Sequence, residues 1–439
     1  MEREIITIKI NDVTHEGKGV GKYQGIAVFV PFALPGEEIS VEVMSKKKSF
    51  WEAKIVTIIA PNPERQTPAC PYFGQCGGCQ LQHATRPEQN SIKTTILQSA
   101  MTRIGNVPEE SFLPFISAPQ EFGYRNKVTY HLEWRGAKLV IGYFGFNSNT
   151  LISIDRCLLV PKIFDQISKA FLEIQGKQEK RASFSELTIR QVSNGQIMLL
   201  ITGSRADTAG AKQITEALAK DYPEIVSFYY VAEHKGLESY YHIGGAEHLT
   251  EIIGGLEFQL DAPTFTQVNY QQMQTLYQLA LEQAQIGKED FVLDLYCGMG
   301  SITLLAAQKA QIVLGIDSVK AAIGAAQDNA IKNNIHNVSF HSGRVEVELD
   351  FLQKHVPKNS IIILDPPRNG CEPRALEAIM ALAPKRIVYI SCSPSTLARD
   401  VKYFQAQGMK VEKVQGVDMF PNTGHVEAVT LLTRSNATR

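Results

Sequence analysis

The chain has 439 residues, a formal net charge of −1, 44% hydrophobic and 20% charged side chains. That is the composition of an ordinary globular protein, long enough for about two to four domains with sizeable cores. It excludes an overall basic signal for nucleic acid, so any such contact rests on local patches such as Lys46-Lys-Lys48 or Arg125-Asn-Lys127. The N-terminal Met1-Glu-Arg-Glu-Ile5 is charged and lacks an apolar signal region, and no apolar run is long enough to span a membrane. A cytoplasmic address without a membrane partner is expected. Seven cysteines in such a reducing compartment point to metal binding or catalysis rather than disulfides.

Residues 3–59 read as all-β. Ile6-Thr-Ile-Lys-Ile-Asn11 alternates apolar and polar side chains, the period of a half-buried strand. Gly17-Lys-Gly-Val-Gly21 is expected as a glycine-rich turn. Ile26–Val30, Glu38–Val43 and Trp51–Val56 are further strands. About five short strands in this stretch fit a small barrel of the oligonucleotide-binding type, although that fold alone does not establish a function. Pro61, Pro63 and Pro68 mark a boundary, giving a first domain over 1–60.

Residues 61–255 are expected as a central α+β domain. Glu88–Ile104 has helical spacing, and Tyr124–Tyr143 and Leu187–Thr202 suggest antiparallel strands. Cys70, Cys76 and Cys79, with the distant Cys157, offer four thiolate ligands. Structural zinc more often shows two paired knuckles. One tight pair with two separated cysteines also suits an iron–sulfur cluster, with Gly77 and Gly78 letting backbone N–H groups reach cluster sulfurs. Cluster, zinc and no metal all stay open on spacing. Tyr124, Tyr143, Phe144 and Phe146 are either stacking residues or core, and Arg125 and Lys127 are placed for phosphates.

From 256 to 439 strands and helices alternate, as in an open, largely parallel sheet with helices on both faces. Ligands then bind at the carboxyl ends of the strands, where Asp294, Asp317, Asp365 and Cys392 fall. Asp294-Leu-Tyr-Cys-Gly-Met-Gly300 lacks the third glycine of a dinucleotide fingerprint. With Asp317 placed for ribose hydroxyls, S-adenosylmethionine suits this turn better than NAD. Cys297 reads as a small buried residue.

Cys392 ends the β-branched run Arg386–Ser391, and Glu427 follows Asp418-Met-Phe-Pro-Asn-Thr-Gly-His-Val426. C5 of uracil is a weak carbon nucleophile until another nucleophile adds at C6. A thiolate suits that addition because it is soft and can leave again. A base must then remove the C5 proton. Cys392 and Glu427 fit these roles, and Asp365 can hold the pyrimidine edge. Taken singly, each has a blander reading, a buried strand cysteine or a solvated acid. Their recurrence at successive strand ends is what favours the chemistry.

Phe265-Thr-Gln-Val-Asn269, Asp294–Gly300, Asp365-Pro-Pro-Arg368, Ser391-Cys-Ser-Pro394 and Phe420-Pro-x-Thr-x-His-Val-Glu427 occur in order. On these segments the chain resembles the RNA uracil-5-methyltransferase family, specifically its 23S ribosomal RNA branch with an N-terminal TRAM barrel. The resemblance spans nearly the whole chain. It implies a Rossmann-like α/β methyltransferase domain using S-adenosylmethionine, with Cys392 as nucleophile and Glu427 as base. Gln267, Tyr296, Asp317 and Asp365 would line the donor and base pocket. Cys70, Cys76, Cys79 and Cys157 would hold a [4Fe–4S] cluster with a structural or RNA-related role, since methyl transfer needs no redox step. A monomer acting on a flipped-out uridine of 23S ribosomal RNA is expected. Arg344 stands where the family often has an acidic or amide residue, which leaves the adenine contact open, the main chain being the alternative to a side chain there. An RNA cytosine-5-methyltransferase would need Cys371 as a second thiol. An amino-group methyltransferase would need an aromatic residue where Arg368 stands. A non-enzymatic RNA-binding factor would need neither Cys392 nor Glu427. Transfer RNA remains an alternative substrate.

Overall fold

A computed structural model describes residues 4–177, 182–204, 207–234 and 236–434; Met1, Glu2 and Arg3 of the charged N-terminal segment lie outside them. Strands β1 (Ile5–Val13), β2 (Lys18–Tyr23), β3 (Ile26–Pro31), β4 (Glu38–Lys46) and β5 (Phe50–Ala60) close into a barrel in the order β1-β2-β3-β5-β4. The alternation of β1 puts Ile6, Ile8 and Ile10 inside. β2 occupies most of the stretch expected as a turn. Its glycines serve barrel closure: a Cβ on Gly19 would lie 2.8 Å from Ala33 Cβ, and one on Gly21 would lie 2.8 Å from the Lys9 carbonyl. The pattern resembled a turn because glycine marks close backbone approach as well as turns.

Helix α1 (Arg86–Arg103) precedes a seven-stranded sheet made of β6 (Lys127–Arg135), β7 (Lys138–Phe144), β8 (Leu151–Ser153), β9 (Phe184–Gln191), β10 (Ile197–Gly203), β11 (Ile225–His234) and β12 (Leu237–Gly245). The order is β12-β11-β10-β9-β6-β7-β8, all antiparallel except β10 with β11. Helices α2 (Lys162–Gly176) and α3 (Thr208–Asp221) bury Phe164, Ile167, Phe171, Ile214 and Leu218 in its core. A hairpin, β13 (Leu249–Ile253) and β14 (Leu256–Leu260), follows.

The C-terminal sheet contains β15 (Phe291–Leu295), β16 (Ile312–Asp317), β17 (Val338–Ser342), β18 (Ile361–Leu364), β19 (Arg386–Ser391), β20 (Met409–Val417) and β21 (Glu427–Arg434). Helices α4 (Tyr270–Ala284), α5 (Ser301–Ala307), α6 (Lys320–Lys332), α7 (Val345–Leu352), α8 (Pro373–Ala381) and α9 (Pro394–Ala406) accompany it. The order is β17-β16-β15-β18-β19-β21-β20, with the first five strands parallel and β21 antiparallel to both neighbours. Covered on both faces, β18 is a fully buried run of Ile361, Ile362, Ile363 and Leu364. The chain winds outward from β15 to β17, then returns to β18, so the crevice between β15 and β18 is the switch point where such sheets bind ligands. Helix α1 packs on α9 and shares that sheet's core through Ile92, Ile96, Leu97 and Met101. Among the described residues no helix is long and apolar enough to cross a membrane.

Candidate active site

The strand register brings the chemistry together. Ser391 pairs with Ala428 in the antiparallel β19–β21 ladder, so one residue further along Cys392 stands opposite Glu427. Leu364 pairs with Leu295 and Tyr389, which puts Asp365 at the adjoining strand tip beside Tyr296. Three of the expected site residues thus occupy neighbouring ends of one sheet.

Their electrostatics agree with that placement. Burial, followed by the Glu427 carboxylate, pushes the Cys392 thiol up to about 11, while Arg368 opposes the shift. Glu427 is buried, and desolvation with the nearby Asp365 raises its carboxyl well above the usual range; Arg368 again opposes. Desolvation lifts Asp365 to about 7. Arg368 therefore acts on both proposed catalytic groups, a role that its place in the motif did not reveal. Its loop is tied to the helix after the cysteine: Thr396 Oγ1 donates to the Arg368 carbonyl at 3.0 Å, and Arg399 Nη2 donates to those of Asn369 at 3.0 Å and Cys371 at 3.1 Å. Tyr277 of α4 was also missed. Buried, it has its hydroxyl pKa raised first by burial and then by the charges of Asp365, Asp294 and Glu427.

Cys392 and Arg368 open onto a cavity of about 340 Å³ whose other walls are Asp12, Val13 and His15 of the barrel segment, Ile96 and Ser99 of α1, and Gly424 to Val426. Barrel and sheet meet closely there, since a Cβ on Gly424 would lie 3.0 Å from the Gly17 nitrogen.

On the donor side, Tyr296 N and Cys297 N donate to the Ile316 carbonyl at 2.8 and 3.1 Å. This folds the turn over the end of β16. Asp317 accepts from Gly298 N at 2.9 Å and Val319 N at 2.8 Å. These bonds fix its carboxylate at the strand tip and leave lone pairs for hydroxyl donors. Tyr296 has a φ of 67° and Gly298 one of 54°; a Cβ on Gly298 would meet nothing within 4 Å, so open space lies beside the turn. The Tyr296 ring packs on the core rather than standing free, with its hydroxyl pKa raised by burial and then by Cys371. Gln267 is buried in the loop before α4. Asp294 lies beneath, fully buried, accepting from Thr303 Oγ1 at 2.5 Å, its carboxyl lifted to about 7 by desolvation. Arg344 is turned outward and pairs with Glu346 at 2.6 Å. Cys371 is a core thiol 3.7 Å from the Tyr389 hydroxyl, and Cys297 is buried as expected.

A second cavity, of about 770 Å³, is lined by all four of Cys70, Cys76, Cys79 and Cys157, with Arg125, Lys127, Tyr143 and Phe144. None of the four is in a disulfide. Burial pushes the thiols of Cys79 and Cys157 up to about 12 and about 11. Gln82 Nε2 donates to Cys79 Sγ at 3.2 Å, and Gly78 N to Cys76 Sγ at 3.4 Å. Among the described residues no group of three or more His, Cys, Asp or Glu side chains stands close enough to hold a single ion. Of the stacking residues expected from the sequence, Phe144 is exposed and stacked on His131 at 4.3 Å. Tyr124 is buried with its hydroxyl donating to the Pro421 carbonyl, Tyr143 packs in the central core, and Phe146 packs on Phe32.

Residues 253–435 match the tRNA (uracil-5-)-methyltransferase family model, and residues 1–56 match the TRAM domain. An uncharacterised RNA methyltransferase of Bacillus cereus (strain ATCC 10987) is 35% identical, covering 99% of this chain and 97% of that protein. Another, of Halalkalibacterium halodurans, is 33% identical over 99% of this chain and 98% of its own length. Among solved structures, the Pyrococcus abyssi tRNA (uracil-54, C5)-methyltransferase bound to S-adenosyl-L-homocysteine has the same fold, with a TM-score of 0.72, 24% identity, and coverage of 98% of this chain and 100% of that one. The chain belongs to the S-adenosylmethionine-dependent RNA uracil-5-methyltransferase family with an N-terminal TRAM domain.

Proposed function

We propose that this protein methylates C5 of one or more uridines in 23S ribosomal RNA, with Cys392 as nucleophile and Glu427 as base. The observation that carries the mechanism is the ladder register setting Cys392 opposite Glu427, with Asp365 at the adjoining strand tip. The Cys392 thiolate adds to C6, and the pair from the C5–C6 bond moves toward O4 as an enolate. S-adenosylmethionine, when bound, supplies a methyl group on a sulfonium, an electrophile that C5 can attack. Glu427 then takes the C5 proton, the pair re-forms C5=C6, and the C6–S bond breaks to return the thiolate. Asp365 holds the pyrimidine edge. Asp317, Tyr296 and Gln267 are assigned to the donor, with Asp317 facing the ribose hydroxyls.

The cysteines Cys70, Cys76, Cys79 and Cys157 are assigned to a [4Fe–4S] cluster. Their place around one cavity and the N–H groups aimed at two of the sulfurs support this reading. Ribosomal RNA follows from the branch that the sequence motifs resemble; transfer RNA is the second reading, because the Pyrococcus abyssi enzyme that shares this fold over 98% of the chain is a tRNA methyltransferase. The functional units proposed are the barrel over 1–60, the cysteine-bearing α+β part over 61–255 and the methyltransferase part over 256–439.

The test is methyl transfer from labelled S-adenosylmethionine to unmodified 23S ribosomal RNA and transfer RNA, with modified positions mapped by mass spectrometry. 5-Methyluridine in ribosomal RNA is the expected product. Label confined to transfer RNA keeps the chemistry and overturns the substrate. Cys392→Ala should abolish turnover with donor binding kept, and Glu427→Gln should accumulate a covalent RNA–protein adduct. Anaerobically purified protein should carry about four irons and four sulfides per chain, lost in Cys79→Ala.

A further inference from the structure

Glu427 is delivered by residues 418–426, a segment without helix or strand that is nonetheless bonded along much of its length. Asp418 is fully buried, and its Oδ1 accepts from Lys93 Nζ at 2.5 Å while Oδ2 lies 2.7 Å from Arg86 Nη1. Lys93 Nζ also donates to the Phe420 carbonyl at 2.9 Å. Gln89 accepts from Asn422 N at 2.8 Å. Arg86, Gln89 and Lys93 stand three and four residues apart on α1, so they share one face of the helix. From the other side Gln272 Nε2 donates to the Asp418 carbonyl and Asn269 Nδ2 to that of Met419, each at 3.0 Å.

A lysine with no exposed surface is costly, and an apolar residue of similar volume often serves stability equally well. What an apolar residue cannot do is grip both a carboxylate and the carbonyl two residues beyond it. We infer that Lys93, seconded by Arg86, is a positioning residue for the base, setting through Asp418 and Phe420 where Glu427 meets the C5 proton.

The inference rests on Glu427 being the base and makes a distinct kinetic claim. Addition at C6 and methyl transfer use Cys392 and the donor, which α1 does not hold through this network. Only proton removal and thiolate expulsion depend on Glu427. Displacing a catalytic group by about 1 Å can cost on the order of a hundredfold in its own step. Lys93→Met should therefore slow elimination by about that factor and leave a denaturant-stable RNA–protein adduct carrying the labelled methyl group. Its formation rate and donor affinity should stay within about threefold of the parent, less than 1 kcal/mol of change. Lys93→Met/Asp418→Asn removes the stranded carboxylate and keeps the test valid if the single variant folds poorly; it too should accumulate adduct.

The experiment is a single turnover with unmodified RNA and labelled S-adenosylmethionine, quantifying adduct and 5-methyluridine against time for the parent, both Lys93 variants and Glu427→Gln. Adduct in Glu427→Gln but in neither folded Lys93 variant overturns the inference alone. So does an equal slowing of methylation and elimination, the signature of mere destabilisation. Adduct in none of the variants overturns the base assignment and the inference together.

Discussion

Arg368 is a cation whose charge reaches both Cys392 and Glu427, against Asp365, which acts on the same two groups in the opposite sense. The proposed mechanism uses both groups in their ionised forms, and burial disfavours those forms. A cation here opposes burial at the proposed nucleophile and the proposed base together. Arg368→Met should push the Cys392 thiol further up from about 11 and lower kcat/KM at neutral pH by about tenfold or more, one pKa unit being one decade of thiolate. In the parent, kcat/KM should climb as pH rises from 6 to 9, because a thiol titrating near 11 gains thiolate throughout that range. A flat profile would argue against Cys392 reacting from this environment. Cys371→Ala should retain activity, because that thiol lies in the core beside Tyr389 rather than at a strand tip.

At the scale of elements, β2 shows how glycine can be misread. Gly19 and Gly21 were expected in a turn, yet they lie in a strand paired on both sides, with β1 and with β3. Gly19→Val should destabilise the barrel by about 1–3 kcal/mol, because its Cβ would press on Ala33 and Ile10, and denaturant titration would measure the loss. The β19–β21 ladder is the second decisive element. β21 runs against its neighbours, so its first residue rather than its last reaches the ligand end of the sheet. That reversal is why Glu427 sits beside Cys392.

For the whole molecule, three carboxyls at the strand ends carry raised pKa values: Asp294 and Asp365 at about 7, and Glu427 well above its ordinary value. A carboxyl raised in the folded state binds its proton more tightly there than in the unfolded chain. Its stabilising contribution is full below the unfolded pKa and is lost as pH rises through the folded one. Thermal stability of the protein without ligands should therefore fall between about pH 4 and 7, by up to about 4 kcal/mol from Asp294 alone. Asp294→Asn should flatten that slope in calorimetry. Barrel docking relies on a different buried acid: Glu37 accepts from Arg65 Nε at 2.5 Å and Nη2 at 2.8 Å, and from Asn62 N at 3.3 Å, just past the end of β5. Arg65→Ala leaves that carboxylate without a cation, held only by the Leu34 and Asn62 N–H groups, and should cost about 3 kcal/mol, enough to loosen the barrel from the Cys392 cavity it helps wall.

The sequence by itself determined which chemistry-bearing residues stand at strand ends. Alternation in β1, the buried run of β18 and the alternating strands and helices after residue 256 are local patterns, and Asp317, Asp365 and Cys392 follow directly from them. Only the tertiary structure decided what meets what. That Glu427 faces Cys392 depends on ladder register, and that Arg368 and Tyr277 both act with Glu427 depends on how the loop after β18 and helix α4 pack against the sheet. The clamp of α1 on residues 418–422 joins segments more than three hundred residues apart, between Lys93 and Asp418. Periodicity reports which face of an element is buried. It does not report which other element covers that face, because packing partners are selected by shape and charge across the assembled core.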